Sequence, residues 1–165
     1  MQSSSSGFLA RLWRIWIVIA AVDFVFATCL SVFAYGSTFA RLWQGVASTV
    51  FGPSMVDGGP TATALGVVVH AGVALLWSTV FLVLTDRVGV IRKLLHSLGG
   101  IIAAAIVYGP VVWSLMSLVL IPLMTGRPPS LTPRWWFQLG AHIPFVAFPI
   151  VYMTARTSGD RALTT

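Results

Sequence analysis

The chain has 165 residues, of which 57% are hydrophobic and 8% are charged, and its mean hydropathy is +0.90. A water-soluble domain carries about 25% charged residues, so these charges are too few to cover a surface that faces water. The net charge is +6. No basic stripe with interleaved aromatic residues lies outside the apolar stretches, which argues against nucleic acid as a partner.

Four long apolar stretches dominate the sequence and predict its fold. Each has about 20 residues or more, and at a rise of about 1.5 Å per residue such a helix crosses a hydrocarbon core of about 30 Å. We therefore predict an all-α integral membrane protein, a four-helix bundle that forms a single domain over residues 11–156. The predicted spans are Ile15–Tyr35, Thr61–Leu84, Leu98–Met124 and Trp136–Ala155.

The two termini lie outside the predicted spans. Residues 1–10 contain a run of four Ser and are predicted to be disordered, and residues 157–165 are predicted to form a short cytoplasmic tail. The first apolar stretch follows basic residues, as in a signal peptide. It is long for a signal sequence and contains Asp23, so we interpret it as an uncleaved first span.

Basic residues are unevenly divided between the two sides of the predicted bundle. The side with both termini holds seven Lys and Arg residues, and the other side holds three, namely Arg41, Arg127 and Arg134. Cytoplasmic loops carry the excess of Lys and Arg. We therefore expect a multi-pass protein of the bacterial inner membrane with both termini in the cytoplasm.

Basic and aromatic residues near the span ends predict contacts with anionic lipid headgroups or with other membrane subunits. On the cytoplasmic side they are Arg11, Trp13, Arg14, Trp16, Arg92 and Lys93, and on the other side they are Trp43, Trp135 and Trp136.

A short helix is predicted between the first two spans. Hydrophobic residues there recur at helical spacing, and Gly52-Pro53 ends the pattern. This predicts a short amphipathic helix in the outer membrane interface, which either covers the bundle as a lid or binds a partner. The apolar face consists of Phe39, Leu42, Trp43, Val46 and Val50.

Small residues and prolines shape the predicted spans. Small residues four apart let helix backbones approach closely, and in the third span such pairs predict either packing within the bundle or a homodimer. Prolines predict kinks in the third and fourth spans. The small residues are Gly99, Gly100, Ala103 and Ala104, with Gly66 in the second span, and the prolines are Pro110, Pro122, Pro144 and Pro149.

Three ionisable residues, Asp23, His70 and His142, lie inside spans. Such groups are costly in a bilayer unless they are paired or face water, so each is a functional candidate. Asp23 and His70 lie about 13 and 14 Å from opposite ends of their spans, which predicts a buried polar pair. The pair is either a structural clamp or part of a proton or ion pathway.

His70 and His142 also suggest a cofactor site, because two His residues on facing helices can ligate a haem or a chlorophyll-type pigment. The alternative for each His is a structural hydrogen bond, and no cofactor is predicted. Cys29 is the single Cys, so the sequence offers no Cys-based metal site and no intramolecular disulfide.

The motifs of common enzyme classes are absent from the sequence. There is no Gly-rich phosphate loop, no His-Glu-x-x-His and no Gly-x-Ser-x-Gly. The chain contains no Glu, so chemistry by paired carboxylates is disfavoured. We predict that the protein is not an enzyme.

The second half of the chain resembles the YagU-type bacterial inner-membrane proteins. The resemblance rests on Pro122-Leu123-Met124-Thr125-Gly126, Pro128-Pro129, Trp135, His142 and Arg156. It implies an inner-membrane protein with several spans and no established chemistry. The acidic residues of that family near the final span are missing here, since the chain has no Glu.

Three functions are compatible with this sequence. The absence of a predicted soluble domain and of catalytic motifs favours a small accessory subunit of a respiratory, photosynthetic or transport complex. The alternatives are a cofactor-binding module that uses His70 and His142, and a small proton or ion channel or transporter that uses Asp23 and His70.

Overall fold

The computed structural model describes residues 2–159, and it describes side chains for residues 7–158. Helices form all the regular structure in this part of the chain, so the predicted all-α fold is confirmed. Four helices are long and apolar enough to cross a membrane, which fits a multi-pass membrane protein. These spans 1 to 4 are Gly7–Ala34, Gly59–Arg87, Leu98–Thr125 and Pro133–Ser158.

Eight α-helices and four shorter helical segments build this part of the chain. The α-helices are α1 (Gln2–Cys29), α2 (Phe39–Phe51), α3 (Gly59–Arg87), α4 (Gly89–Leu94), α5 (Leu98–Leu115), α6 (Ile121–Thr125), α7 (Pro133–His142) and α8 (Phe148–Gly159). The shorter segments are π-helical at Leu30–Ala34, Met116–Leu120 and Ile143–Ala147, and 3-10 helical at Pro53–Asp57.

The ends of the bundle differ from the sequence prediction. Helix α1 begins at Gln2, so residues 2–10, for which we predicted disorder, are helical. Helix α8 runs to Gly159 and includes the first three residues of the predicted tail. Met1 and residues 160–165 lie outside the described residues.

One end of the bundle is joined by an ion pair between spans 1 and 2. Arg11 Nη1 lies 3.1 Å from Asp86 Oδ1, and Arg11 Nη2 donates to the Ser158 hydroxyl at 3.0 Å. The beginning of span 1 and the ends of spans 2 and 4 therefore meet at this end, which we call the basic end. The opposite end, where α2 lies, is called the α2 end.

Arg11 does not have the surface position that we predicted for it. Its exposed fraction is 6%, because the Asp86 carboxylate and the Ser158 hydroxyl draw the guanidinium between three helices. Trp13 is 59% exposed and Arg14 is also exposed, as expected for an outer surface. Arg92 and Lys93 are exposed and Trp16 is half-buried.

Helix α2 is the short helix predicted between the first two spans, but its Trp43 is buried rather than placed at an interface. Trp43 is 0% exposed, and its ring stacks on Phe24 with 4.9 Å between centroids. The backbone of α2 touches α3 at Gly66, where a Cβ atom would overlap the Trp43 carbonyl. Helix α2 therefore covers the end of the bundle as a packed lid.

Some of the small residues predicted to pack between helices do so, and others do not. Gly100 packs against the backbone of α4, where a Cβ atom would overlap the Leu94 carbonyl, whereas Gly99 has open space and Ala103 is exposed. The position of Gly99 and Ala103 in an interhelical contact of this bundle was therefore predicted wrongly. Ala104 is half-buried beside the core.

Three of the four predicted proline sites lie in or just after π-helical segments: Pro144 lies within Ile143–Ala147, Pro149 follows that segment, and Pro122 follows Met116–Leu120. A proline removes the hydrogen bond to the residue four positions earlier and clashes with its carbonyl. The residues four before Pro122 and Pro149 are Leu118 and Phe145, and each lies within a π-helical segment. Segments of this kind are frequent at functional sites.

Candidate functional site

The three ionisable residues of the spans converge on one internal cavity. Asp23 of α1, His70 of α3 and His142 of α7 all line a cavity of about 260 Å³ between the spans. His70 and His142 therefore belong to different helices that line the same cavity. Most of the remaining lining is apolar, including Trp77 and Val146. The cavity therefore has three ionisable side chains in a mostly apolar lining.

The side chains of Asp23 and His70 lie next to each other in this cavity. The distance from His70 Nε2 to Asp23 Oδ2 is 3.4 Å, and the alignment is too poor for a hydrogen bond, since Nε2 has no hydrogen-bond partner. The exposed fractions of the two side chains are 15% and 19%. Trp43 packs edge to face on the His70 ring, with 4.9 Å between centroids. A carboxyl and an imidazole so close can exchange a proton with each other or with a bound molecule.

His142 is oriented by its own helix. Its Nδ1 atom lies 2.7 Å from the Gln138 carbonyl oxygen, and a carbonyl can only accept, so Nδ1 carries the proton. In the neutral form of the ring, Nε2 is then an acceptor. Trp113 packs on the ring at 4.7 Å between centroids. The close approach of Gly109 to the His142 backbone fixes α5 beside α7.

Trp135 is buried beside the cavity-lining Trp113 and does not have the surface position that we predicted for it. It is 8% exposed, its Nε1 donates to the Ser117 hydroxyl at 2.8 Å, and its carbonyl accepts from Trp113 Nε1 at 3.1 Å. These bonds draw the indole inward, between span 3 and α7. Trp136 is 59% exposed and keeps an outward position.

A second, larger space opens above the cavity at the α2 end. This cleft has a volume of about 510 Å³, and four residues line both spaces. The shared residues are Thr49, Trp113, Ile121 and Gln138. The cavity therefore lies directly beneath a cleft at the α2 end.

Toward the basic end the cavity gives way to buried core. Trp77 and Ile150 line the cavity. The side chains beyond them, Phe81, Leu82 and Tyr108, are 3%, 0% and 8% exposed. The Tyr108 hydroxyl donates to the Trp77 carbonyl oxygen at 2.6 Å and ties α5 to α3 at this level.

The cavity does not fit a tetrapyrrole. Sites for drug-sized ligands occupy about 300–1,000 Å³, and a haem or chlorophyll-type macrocycle exceeds the 260 Å³ of this cavity. The described residues contain no group of three or more His, Cys, Asp or Glu side chains that could hold a metal ion. The geometry favours a small solute or a few water molecules instead.

Sequence analysis missed two residues of the site, Trp113 and Gln138. Both lie inside or beside a span and line the cavity, but neither is ionisable, so the search for charged groups in apolar stretches passed over them. The four-residue spacing from Gln138 to His142 was the available signal, because it places the Gln138 carbonyl next to the His142 ring on one helix face.

No protein-family model matches this chain, and no curated protein or solved structure is significantly similar to it. The resemblance of the second half to the YagU-type proteins stays a prediction.

Proposed function

We propose that this protein is a small membrane transporter or channel in which Asp23 and His70 exchange protons within the central cavity. The observation that carries the proposal is the convergence of Asp23, His70 and His142 on one cavity beneath an open cleft. Ionisable groups inside membrane spans are costly and commonly mark ion pathways. The apolar lining would isolate this polar group from the surrounding lipid.

The proposed route would have one open end in this conformation. Solute would enter from the cleft at the α2 end, pass Thr49 and Gln138, and reach the His residues. The buried core beyond Trp77 closes the other side. Transport would therefore require a second conformation that opens toward the basic end, as alternating access demands. By the excess of basic residues, the basic end would face the cytoplasm.

Proton flux into vesicles tests this proposal. The full chain is reconstituted into vesicles that contain a pH-sensitive dye, and a pH gradient is imposed. We expect the rate to exceed that of empty vesicles and to fall by at least tenfold in Asp23→Asn. His70→Gln is expected to act in the same direction. The titratable groups that line the cavity are Asp23, His70 and His142, so His142→Gln reports the remaining contribution.

Asp57→Asn is the matched control. Asp57 is also an aspartate, but its side chain is 91% exposed and lies outside the cavity, so its flux should equal that of the unmodified chain. The elution profile and the midpoint of thermal unfolding must show that Asp23→Asn is folded. A flux that Asp23→Asn leaves unchanged would remove Asp23 from the pathway, and a rate equal to that of empty vesicles would reject the proposal.

The small accessory subunit that the sequence favours is the second candidate. Large apolar side chains face outward on several helices, among them Phe33 at 83% and Leu123 at 77% exposed, and such side chains suit lipid or neighbouring subunits. Affinity purification from native membranes tests this role. Larger membrane proteins that co-elute in a fixed ratio would support it, and a lone small particle would contradict it.

A further inference from the structure

Two arginines line the cleft at the α2 end. Arg127 comes from the loop after span 3 and Arg134 from the first turn of α7. Neither has a carboxylate partner among the described residues, whereas Arg41 lies 3.2 Å from Asp57. The cleft has no acidic residue among the residues described as lining it. Its charge is therefore positive and not compensated by a neighbouring side chain.

Tyr35 adds a second, independent observation. Its hydroxyl oxygen is buried and has no hydrogen-bond partner, although Tyr35 lines the same cleft. A buried polar group without a partner costs free energy, so such a group suggests a ligand that supplies the bond. The Arg134 guanidinium lies over the Tyr35 ring, 4.3 Å from its centroid, which brings a cation next to this donor.

The other polar side chains of the cleft divide into those already bonded and those available. The hydroxyls of Ser48, Thr49, Ser117 and Thr125 donate to backbone carbonyls of their own helices. The side chains of Thr132 and Gln138 line the cleft as well. Guanidinium forks, a phenol and an amide can all donate hydrogen bonds, and together they suit an acceptor with several oxygens.

We infer that the cleft lined by Tyr35, Arg127 and Arg134 binds a phosphate or carboxylate group. Arginine presents a planar fork of donors that matches the oxygens of either group. The anion belongs either to a small molecule in solution or to the headgroup of an anionic lipid at this end of the bundle. The cleft shares lining with the central cavity, so a bound anion would occupy its mouth.

This site does not depend on the transport proposal. It uses residues of the cleft, whereas proton exchange uses Asp23 and His70 below it. Asp23→Asn should therefore lower the flux at least tenfold and leave anion binding intact, and substitution of the arginines should weaken anion binding directly. The two proposals consequently fail in different experiments.

Anion binding is measured on the full chain in a neutral detergent. Sodium phosphate or sodium acetate is titrated against sodium chloride at constant ionic strength, and the midpoint of thermal unfolding reports the bound state. Loss of one charged hydrogen bond corresponds to about tenfold or more in affinity, so Arg127→Gln and Arg134→Gln should each raise the apparent Kd by about that factor. Tyr35→Phe keeps the ring beneath Arg134 and should produce a smaller loss. Arg92 is an exposed arginine at the basic end, so Arg92→Gln should leave the apparent Kd for phosphate and acetate unchanged.

A second arm distinguishes the two sources of the anion. The protein is placed in nanodiscs of phosphatidylcholine with and without phosphatidic acid, and retained lipids are counted by native mass spectrometry. Stabilisation by phosphate or acetate identifies a soluble anion, and retention of phosphatidic acid that the arginines control identifies a headgroup. If both anions act no more strongly than chloride and phosphatidic acid is not retained, the inference is wrong. The inference is also wrong if every effect survives in the double arginine variant.

Discussion

The carbonyl oxygen of Trp43 lies where a Cβ atom of residue 66 would be, so only glycine fits at position 66. This contact seats α2 against α3 and holds the Trp43 ring on His70, one turn further along α3. A helix that the sequence suggests as an interfacial element is thereby made part of the candidate site.

Gly66→Ala is expected to destabilise the protein. The added methyl group must displace the backbone of α2, and overpacking of this kind costs about 1–3 kcal/mol. The midpoint of thermal unfolding in detergent should fall. Gly72→Ala in the same helix is the control, because a Cβ atom there meets nothing within 4 Å and alanine favours helix. Equal midpoints for the two variants would show that α2 is not seated on Gly66.

Gly109→Ala tests the second close backbone contact. A Cβ atom at this position would lie 2.9 Å from the carbonyl carbon and oxygen of His142, so α7 must move away from α5. We expect a lower midpoint of thermal unfolding than for Gly99→Ala, whose Cβ atom meets open space on the same helix. A Gly109→Ala variant as stable as Gly99→Ala would contradict the packing of α7 on α5.

The sequence predicted the long helices well because apolar length is a property of the chain itself. The first span begins at Gly7, well before the predicted Ile15, and every other boundary lies within three residues of its prediction. The depth of each residue follows from helical rise. The same depth argument predicted from the sequence that Asp23 and His70 are paired. In the structure, His70 Nε2 and Asp23 Oδ2 are 3.4 Å apart.

The missed features depend on partners that are distant in the chain. The partner of Arg11 is Asp86, 75 residues away, and a count of basic residues near span ends cannot identify it. Helical periodicity gave α2 an apolar face but not the surface that covers Trp43. The rotation of span 3 about its own axis determines that Gly109, and not Gly99, contacts another helix. The four-residue spacing of small residues does not determine this rotation.

Arg11→Gln is expected to loosen the basic end of the bundle. It leaves Asp86 without its cation and removes the bond to Ser158. Breaking a fully buried ion pair costs about 3–5 kcal/mol, and we expect less here because the Asp86 side chain is 31% exposed. Arg14→Gln, an exposed arginine on the same helix, should leave the midpoint of thermal unfolding unchanged.

A double substitution separates the pair from its parts. Arg11→Met combined with Asp86→Leu removes both charges, so no uncompensated charge remains, and it should be more stable than either single variant. If the stability lost in the double variant equals the sum of the losses in the two single variants, Arg11 and Asp86 do not interact in the folded protein.

Access to the cavity from the α2 end can be tested with single cysteines. Thr49 lines both the cleft and the cavity, so in a Cys29→Ser background Thr49→Cys should react with a membrane-impermeant thiol reagent. Ser78→Cys is the control for a closed position, because Ser78 is 0% exposed and lies toward the basic end.

The same labelling distinguishes the two sides of the membrane. If the basic end faces the cytoplasm, intact cells should label Thr49→Cys, and Arg92→Cys should react only in inverted vesicles, because Arg92 is exposed in the connection between spans 2 and 3. Labelling of Arg92→Cys in intact cells, with none at position 49, would reverse the orientation. Protection of position 49 from both sides would mean that the cleft is closed to water, and the cavity would then have no aqueous entrance at the α2 end.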